Sequence, residues 1–231
     1  MRIITPTEID QVAWEGYLEP LGQAPKRVGD LPRVTLGQPA WWPAEQALES
    51  QTGRKWSQPA DGRRYTLVRL ACTLHPPVEA YSHYSEATLT LYLRPRTGGA
   101  PVIAHDLYPQ RLAAEGKRKF TLGLGPELKF AEVFEAKLAE VGAEIEYQQV
   151  FPVIQGYGLG ESRLAWSFAH HPAHPLLGSQ SVYLVAAAPP TANGIRLSLE
   201  LIATLETRFG PLRLGPPQEA QAHLSWLIGE Q

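Results

Sequence analysis

Three histidines form the tightest group of side chains that could do chemistry: His170, His171 and His174, in the sequence FAHHPAHPLLG. Imidazole is a common metal ligand, and Zn²⁺ sites often use two histidines a few residues apart. Pro172 and Pro175 disfavour a helix, so the zinc-protease pattern of two histidines one helical turn apart does not apply. The segment predicts either a Zn²⁺ site on a loop or, more simply, a polar loop between two strands.

A second group of residues is aromatic and polar. Tyr81, His83 and Tyr84 lie in HPPVEAYSHYS, which reads as a long loop between two strands. Loops on a rigid β scaffold often carry binding residues, and tyrosine supplies contact area at a low entropic cost. We predict that these three residues bind a ligand. The alternative is that the tyrosines cover the end of a sheet.

Glycines alternate in QGYGLGES, where Gly156, Gly158 and Gly160 surround Tyr157. Glycine allows positive φ and a close approach of the backbone to a ligand. The spacing G-x-G-x-G is not the dinucleotide-binding pattern, and a strand follows it where that pattern requires a helix. A hairpin loop is therefore the simplest interpretation. Tyr157 joins the predicted ligand contacts because its ring offers a stacking face.

Signals for nucleophilic catalysis are weak. The sequence contains no serine in the G-x-S-x-G pattern of a nucleophile elbow. Cys72 shares a predicted strand face with Leu70 and Leu74, which favours a small buried hydrophobic residue over a nucleophile. We expect no enzymatic activity and no cofactor. A metal-dependent enzyme, or a metal-binding protein, that uses the histidine loop is the alternative.

The elements that must position these residues are mostly strands. Hydrophobic and polar residues alternate along two long segments, whose apolar members are Ala87, Leu89, Leu91 and Leu93 in the first and Ile195, Leu197, Leu199, Leu201, Ala203 and Leu205 in the second. Successive side chains of a strand point to opposite faces, so each segment has one buried face. This alternation is typical of antiparallel sheets with one wetter face.

Shorter segments complete the prediction. Strands are predicted at residues 65–74, 119–124, 143–151, 164–168 and 182–187, the last in a hairpin with the strand that begins at Ile195. Apolar residues at helical spacing predict helices at residues 128–141 and 218–228. The predicted class is α+β and mainly antiparallel β. It has a two-layer β-sandwich-like core, one mid-chain helix and one C-terminal helix.

Residues 1–62 differ from the rest of the chain. They hold Trp14, Trp41, Trp42 and Trp56 and many prolines, without sustained alternation. Disordered chains are poor in aromatic residues, so we predict an ordered but irregular N-terminal segment that packs on a β-sandwich-like domain of residues 63–231. A short helix is predicted with Pro43 as its first residue and Gly53 as its stop.

Composition narrows the class of protein. The 231 residues carry a formal net charge of −2, which lacks the basic footprint of a nucleic-acid-binding protein. The single cysteine cannot form an intramolecular disulfide. No signal peptide is evident, and the apolar run at residues 182–188 is far shorter than the ~20 residues of a transmembrane helix. We expect a cytoplasmic, bacterial protein.

These patterns favour a non-enzymatic binding or protein-interaction module, with a protein partner or self-association, no nucleic acid and no transmembrane segment. Addition of a strand at a sheet edge, or contacts through the end loops, would be its mechanism. The metal-binding alternative stays open beside it. A membrane-surface or assembly protein is the second alternative, although the polar face of the helix predicted at residues 128–141 is not basic.

Overall fold

The computed structural model of the protein describes residues 2–3, 11–22, 30–49, 56–112, 153–171 and 175–229. Within these ranges there are sixteen strands, a short helix α1 (Ala44–Ala47) and a 3₁₀ helix (Gln218–His223). In chain order the strands are β1 (Arg2–Ile3), β2 (Val12–Tyr17), β3 (Glu19–Pro20), β4 (Arg33–Gly37), β5 (Ala40–Pro43), β6 (Leu48–Glu49), β7 (Arg64–Leu74), β8 (His83–Pro95), β9 (Ile103–Tyr108), β10 (Arg111–Leu112), β11 (Val153–Tyr157), β12 (Arg163–Ala169), β13 (Gly178–Ala188), β14 (Ile195–Thr207), β15 (Gly210–Gly215) and β16 (Ser225–Ile228).

Two large sheets make up most of this part of the chain. The first sheet has the strand order β2-β4-β7-β13-β9, and β5 also pairs with β7. The second sheet has the order β10-β11-β12-β8-β14-β15-β3, and β16 also pairs with β14. Strands β1 and β6 form a separate pair. Each of these pairings is antiparallel, which confirms the prediction of a mainly antiparallel β protein.

One hydrophobic cluster contains residues of both sheets. It includes the predicted inward faces of β7, β8 and β14, which are Val68, Leu70, Cys72, Leu74, Ala87, Leu89, Leu91, Leu93, Ile195, Leu197, Leu199, Leu201, Ala203 and Leu205. The alternation predicted for these strands is therefore confirmed. Burial raises the pKa of the Cys72 thiol to about 12, so this cysteine behaves as a small hydrophobic residue.

A second hydrophobic cluster lies on the other face of the first sheet. Its members come from β5, α1, β6, β7 and β13, and they include Trp42, Leu48, Tyr65, Leu67, Tyr183 and Val185. Strand β13 is therefore covered on both faces, and its residues 182–188 are all buried. A strand that is covered on both faces reads as an unbroken apolar run, which explains the run seen in the sequence.

The N-terminal part of the chain is less irregular than predicted. Among the described residues below 62 it forms β1 to β6, and both β4 and β5 pair with β7 of the first sheet. These strands contain two to six residues each, too few for a sustained alternation to show in the sequence. The helix predicted from Pro43 to Gly53 is present only as α1 (Ala44–Ala47), because the chain continues as strand β6 from Leu48. The domain boundary at residue 62 stays a prediction.

The C-terminal helix predicted at residues 218–228 is wrong. Its first half is the 3₁₀ helix, and its second half is β16, in which Ile228 lies opposite Ile195 of β14. The helix is suggested by the spacing of Ala220, Leu224 and Ile228, which are four residues apart and are buried in the structure as well. The edge of β14 is open before its pairing with β15 begins at Ala203, and there it offers β16 a strand partner.

One predicted helix and two predicted strands have no counterpart to compare in the described part of the chain. The helix predicted at residues 128–141 and the strands predicted at 119–124 and 143–151 lie outside the described residues. In the part of the chain that is described, no helix is long and apolar enough to cross a membrane.

The hairpin predicted between residues 182–187 and the strand from Ile195 is also wrong. Strand β13 belongs to the first sheet and β14 to the second. The intervening chain crosses from one sheet to the other, and the Gly194 carbonyl accepts a hydrogen bond from the Arg96 N–H at 3.0 Å. A proline-rich connection with Asn193-Gly194 therefore marks a crossing between layers here.

Candidate functional site

A cavity of about 350 Å³ opens at the end of the second sheet, where β8 ends and β12 begins. We call it the arginine groove; its lining residues are Tyr92, Leu93, Arg94, Pro95, Gly99, Pro101, Ser162 and Arg163.

The walls of the arginine groove are held by hydrogen bonds. The Ser162 hydroxyl donates to the Val102 carbonyl at 2.7 Å, and the Leu93 N–H donates to the Ser162 carbonyl at 2.7 Å. The Arg63 guanidinium donates to the Pro101 carbonyl at 3.4 Å. These bonds connect the turn after β8 to the start of β12, so the cavity exists before any ligand binds.

Strand register gathers three arginines at this end of the sheet. Arg163 of β12 lies opposite Tyr92 of β8, and Arg196 of β14 lies opposite Arg94 of β8. All three arginines are exposed, and none has an ion-pair partner within the described ranges. Like charges that face each other across strands repel, so an anion bound here would relieve the repulsion.

Tyr92 connects these cations to a carboxylate. Its hydroxyl donates to Glu200 at 3.0 Å, and the Arg163 guanidinium carbon lies 5.7 Å from the centre of its ring. Burial, followed by Glu200, raises the pKa of Tyr92, while Arg163 opposes the rise, so the hydroxyl stays a donor at neutral pH. With Glu161 of the neighbouring turn included, three arginines and two glutamates lie at this end of the sheet, so these five groups carry a formal charge of +1.

The turn beside the groove explains the glycines of QGYGLGES. Strands β11 and β12 pair antiparallel, so a hairpin turn does lie here, but Gly156 and Tyr157 belong to β11 and the turn is confined to residues 158–162. Gly158 has φ +86°, and a Cβ at this position would overlap the carbonyl oxygen of Arg163. Only glycine allows this turn to close and to bring Arg163 to the start of β12. Tyr157, a predicted ligand contact, is half-exposed at this end of the sheet.

Two histidine rings meet at the other end of β8. His83 begins β8 and His170 follows β12 directly; their ring centroids lie 4.7 Å apart with an angle of 50° between the planes. We call them the histidine pair. Eleven residues separate His83 from Arg94 on β8, roughly 35 Å at about 3.3 Å per residue.

A β-bulge brings these two rings together. The partners along β14 pass from Glu86 opposite Thr204 to Tyr84 opposite Leu205, so Ser85 is an extra residue. The bulge re-aims the side chains that precede it: Tyr84 is buried and His83 is exposed. The Ser85 carbonyl also accepts a hydrogen bond from the His170 N–H at 2.9 Å.

The half-buried imidazole of His170 has an unusual environment. Its Nδ1 is buried and has no hydrogen-bond partner within the described chain. Burial, and then the neighbouring His83 and His171, lowers the pKa of His170. The ring is therefore neutral at pH 7, with a lone pair free on one nitrogen.

The structure divides the residues predicted to bind a ligand. Tyr81 is 86% exposed in the turn before β8. Tyr84, predicted in the same loop, lies inside β8 as a core residue. Burial raises the pKa of its hydroxyl, which has no hydrogen-bond partner among the described residues. Tyr157 lies with the arginine groove, at the far end of the sheet. The three tyrosines do not form one surface.

The predicted metal ligands are only partly visible. His170 and His171 end the described stretch of residues 153–171, and His174 lies outside it. Within the residues described, no group of three or more His, Cys, Asp or Glu side chains is arranged to hold a metal ion. Metal binding by the three-histidine loop stays a prediction. What the sequence did not suggest is that His83 and His170 come together.

Neither a protein-family model nor a curated protein sequence matches this chain. Solved structures that it resembles include the NetB toxin of Clostridium perfringens in the membrane inserted form, with 9% identity and a TM-score of 0.37 over 93% of this chain and 99% of that chain. The delta-toxin of Clostridium perfringens has 10% identity and a TM-score of 0.36 over 98% of this chain and 96% of that chain.

These matches disagree with the predicted cytoplasmic location. Both structures are of toxins, and one is in a membrane inserted form, so the prediction of a cytoplasmic location is not retained. At TM-scores of 0.37 and 0.36 the likeness supports no activity for this chain.

Proposed function

We propose that this protein is a non-enzymatic binding module that holds an anionic ligand in the arginine groove. The observation that carries the proposal is the register of β12, β8 and β14. Arg94 and Arg163 line one cavity, Arg196 lies opposite Arg94, and none of the three has an ion-pair partner in the described chain. Guanidinium groups present a rigid fork of donors that matches carboxylate and phosphate oxygens. An anion would therefore gain hydrogen bonds and remove a repulsion.

The lining of the groove also indicates the size of the ligand. Its volume of about 350 Å³ is at the lower end of ligand pockets, which range over about 300–1,000 Å³. Leu93, Pro95 and Pro101 provide apolar walls, and the Tyr92 ring lies beside them. The proposed ligand is a small molecule with one anionic group and an apolar part.

The same lining favours binding over turnover. Two hydroxyl side chains line the groove, and both are hydrogen-bond donors: Tyr92 donates to Glu200 at 3.0 Å and Ser162 to the Val102 carbonyl at 2.7 Å. Both serve there as structural donors, and no imidazole is among the lining residues to activate either as a nucleophile.

Isothermal titration at low ionic strength tests this proposal, with inorganic pyrophosphate and phenyl phosphate as probes; the second carries one anionic group and an apolar ring. Arg94→Ala and Arg163→Ala should each weaken binding about ten- to hundred-fold, because a hydrogen bond to a charged group contributes about 1.5–3 kcal/mol. Arg213→Ala is the matched control, since Arg213 is exposed on β15 of the same sheet, opposite Thr204 and far from the groove. No binding of either probe, or equal losses in all three variants, would overturn the proposal.

We also propose a sandwich arrangement of the two large sheets and self-association of the protein. The two large sheets would form the layers of a β-sandwich, which is supported by the hydrophobic cluster that they share. Self-association through the edge strand β2 is supported by Val12 and Tyr17, which are 55% and 60% exposed. Sedimentation velocity of the wild type and of Tyr17→Lys tests this. A dimer that the substitution abolishes supports it, and a monomer at every concentration contradicts it.

A further inference from the structure

We propose that the histidine pair is a binding site for a divalent transition-metal ion that prefers imidazole, such as Zn²⁺, Ni²⁺ or Cu²⁺. The site would be independent of the arginine groove, because it lies at the opposite end of β8.

Ring geometry is the first support. Zn–N bonds to histidine measure about 2.0–2.1 Å, so two imidazoles on one tetrahedral ion place their ring centroids roughly 5 Å apart. The centroids of His83 and His170 lie 4.7 Å apart, and the ring planes are tilted by 50°. The two rings are thus already at the separation that a shared ion requires.

The free nitrogen is the second support. His170 Nδ1 is buried and has no hydrogen-bond partner in the described part of the protein. A buried polar atom without a partner destabilises the fold, so such atoms usually bind water or an ion. A metal ion between the rings would satisfy this nitrogen.

The surroundings provide rigidity and a negative charge. His170 is held by the bond from its N–H to the Ser85 carbonyl at 2.9 Å, and His83 is held by the pairing of β8 with β14. Glu206 lies directly opposite His83 in that pairing, so its carboxylate is on the same side of the sheet as the proposed ion. Preorganised ligands on strands lose little entropy when the ion binds.

Water would complete the coordination. The described residues contain no group of three protein ligands, so the ion would keep open positions. Closed structural zinc sites use four protein ligands, whereas sites with open positions accept an external group. The proposed site is of the second kind.

The test is titration of Zn²⁺ and Ni²⁺ into tag-free protein, followed by calorimetry. The wild type should bind one ion per chain, and His83→Ala and His170→Ala should each lose this binding. His223→Ala is the matched control, since His223 is exposed on the 3₁₀ helix, and it should bind like the wild type. Thermal unfolding in a chelating buffer verifies that every variant folds, and His83→Asn repeats the test if an alanine variant does not.

Two further measurements decide which histidines bind the ion. Electron paramagnetic resonance of the Cu²⁺-loaded wild type should show two equatorial nitrogens, and Cu²⁺ added to either alanine variant of the pair should not give this spectrum. His174→Ala should leave the binding unchanged. If His174→Ala abolishes binding while His83→Ala retains it, or if the wild type binds neither ion, the proposal is wrong. Arg163→Ala should not alter the metal titration, so this result is independent of the anion-binding test.

Discussion

The two ends of strand β8 are built by different rules. At the arginine groove, regular alternation is sufficient: Tyr92 and Arg94 point outward because Leu91 and Leu93 point inward. At the histidine pair, the bulge at Ser85 interrupts the alternation and turns His83 outward. A regular strand would have pointed His83 toward the core. Side chains that depend on regular pairing can be placed from a sequence pattern, while those that depend on a bulge cannot.

The two ends also differ in how their charge responds to pH. Arginine stays protonated at every pH that a folded protein survives, so the groove keeps its positive charge. Histidine titrates in the physiological range, and burial already lowers the pKa of His170. One end is therefore suited to an anion, and the other, with neutral imidazole, to a metal cation.

The largest change in the free energy of unfolding is expected from a core substitution in β8, the strand that carries both sites. Leu91 is fully buried in the cluster between the sheets, so Leu91→Ala should lower the free energy of unfolding by about 2–5 kcal/mol. Urea denaturation measures this value. Arg94→Ala, on the exposed face of the same strand, is the control and should change it by less than about 0.5 kcal/mol. Equal effects in the two variants would contradict the assigned faces of β8.

The next largest effect is expected from a substitution that changes the arginine groove without changing the histidine pair. Gly158→Ala should destabilise the fold by about 1–3 kcal/mol, because a Cβ at φ +86° overlaps the Arg163 carbonyl. It should also weaken pyrophosphate binding and leave the Zn²⁺ titration unchanged. Gly160→Ala has a similar φ of +80° but an open space around its Cβ, so it should cost only about 1 kcal/mol. A change in Zn²⁺ binding by Gly158→Ala would show that the ends are coupled.

A smaller effect is expected in the dependence of the protein's stability on pH. His170 has a lowered pKa in the fold, so between this pKa and 6.5 the unfolded chain binds more protons than the folded one. The stability that His170 contributes is therefore present above pH 6.5 and is lost as the pH falls. His75 acts in the same direction, because burial and then Arg33 lower its pKa. In a chelating buffer, His170→Gln should lose less stability than the wild type between pH 7 and 5; an identical profile would contradict this.

The smallest effect is expected at the cationic end. Arg196 faces Arg94 across β14 and β8, so Arg196→Ala should change the free energy of unfolding by less than about 0.5 kcal/mol, or raise it slightly. Added salt screens this repulsion, and the difference between the variant and the wild type should shrink as salt increases. Denaturation at two salt concentrations measures it. A clear destabilisation would mean that Arg196 has a stabilising partner.

The candidate sites show where sequence reasoning stopped. The arginines of the groove occupy polar positions of alternating strands, where they look like any solvated face. The arginines form a cluster only because Arg163 lies opposite Tyr92 and Arg196 lies opposite Arg94. These pairings are set by strand register. Tyr81 and Tyr84 lie in one polar stretch of the sequence, which predicts the same role for both, yet tertiary packing buries Tyr84 and exposes Tyr81.

The sequence alone was sufficient to predict which faces of β7, β8 and β14 are buried and that a turn lies within QGYGLGES. These features depend on residues close together in the chain, because the side-chain period of a strand and the conformation of a glycine turn are local properties. Only the tertiary structure decided that β13 and β14 belong to different sheets, that residues 225–228 form a strand, and that His83 meets His170. Each of these features depends on which distant strand edge is free to accept hydrogen bonds. The hydrophobic pattern of a strand does not specify which other strand it pairs with.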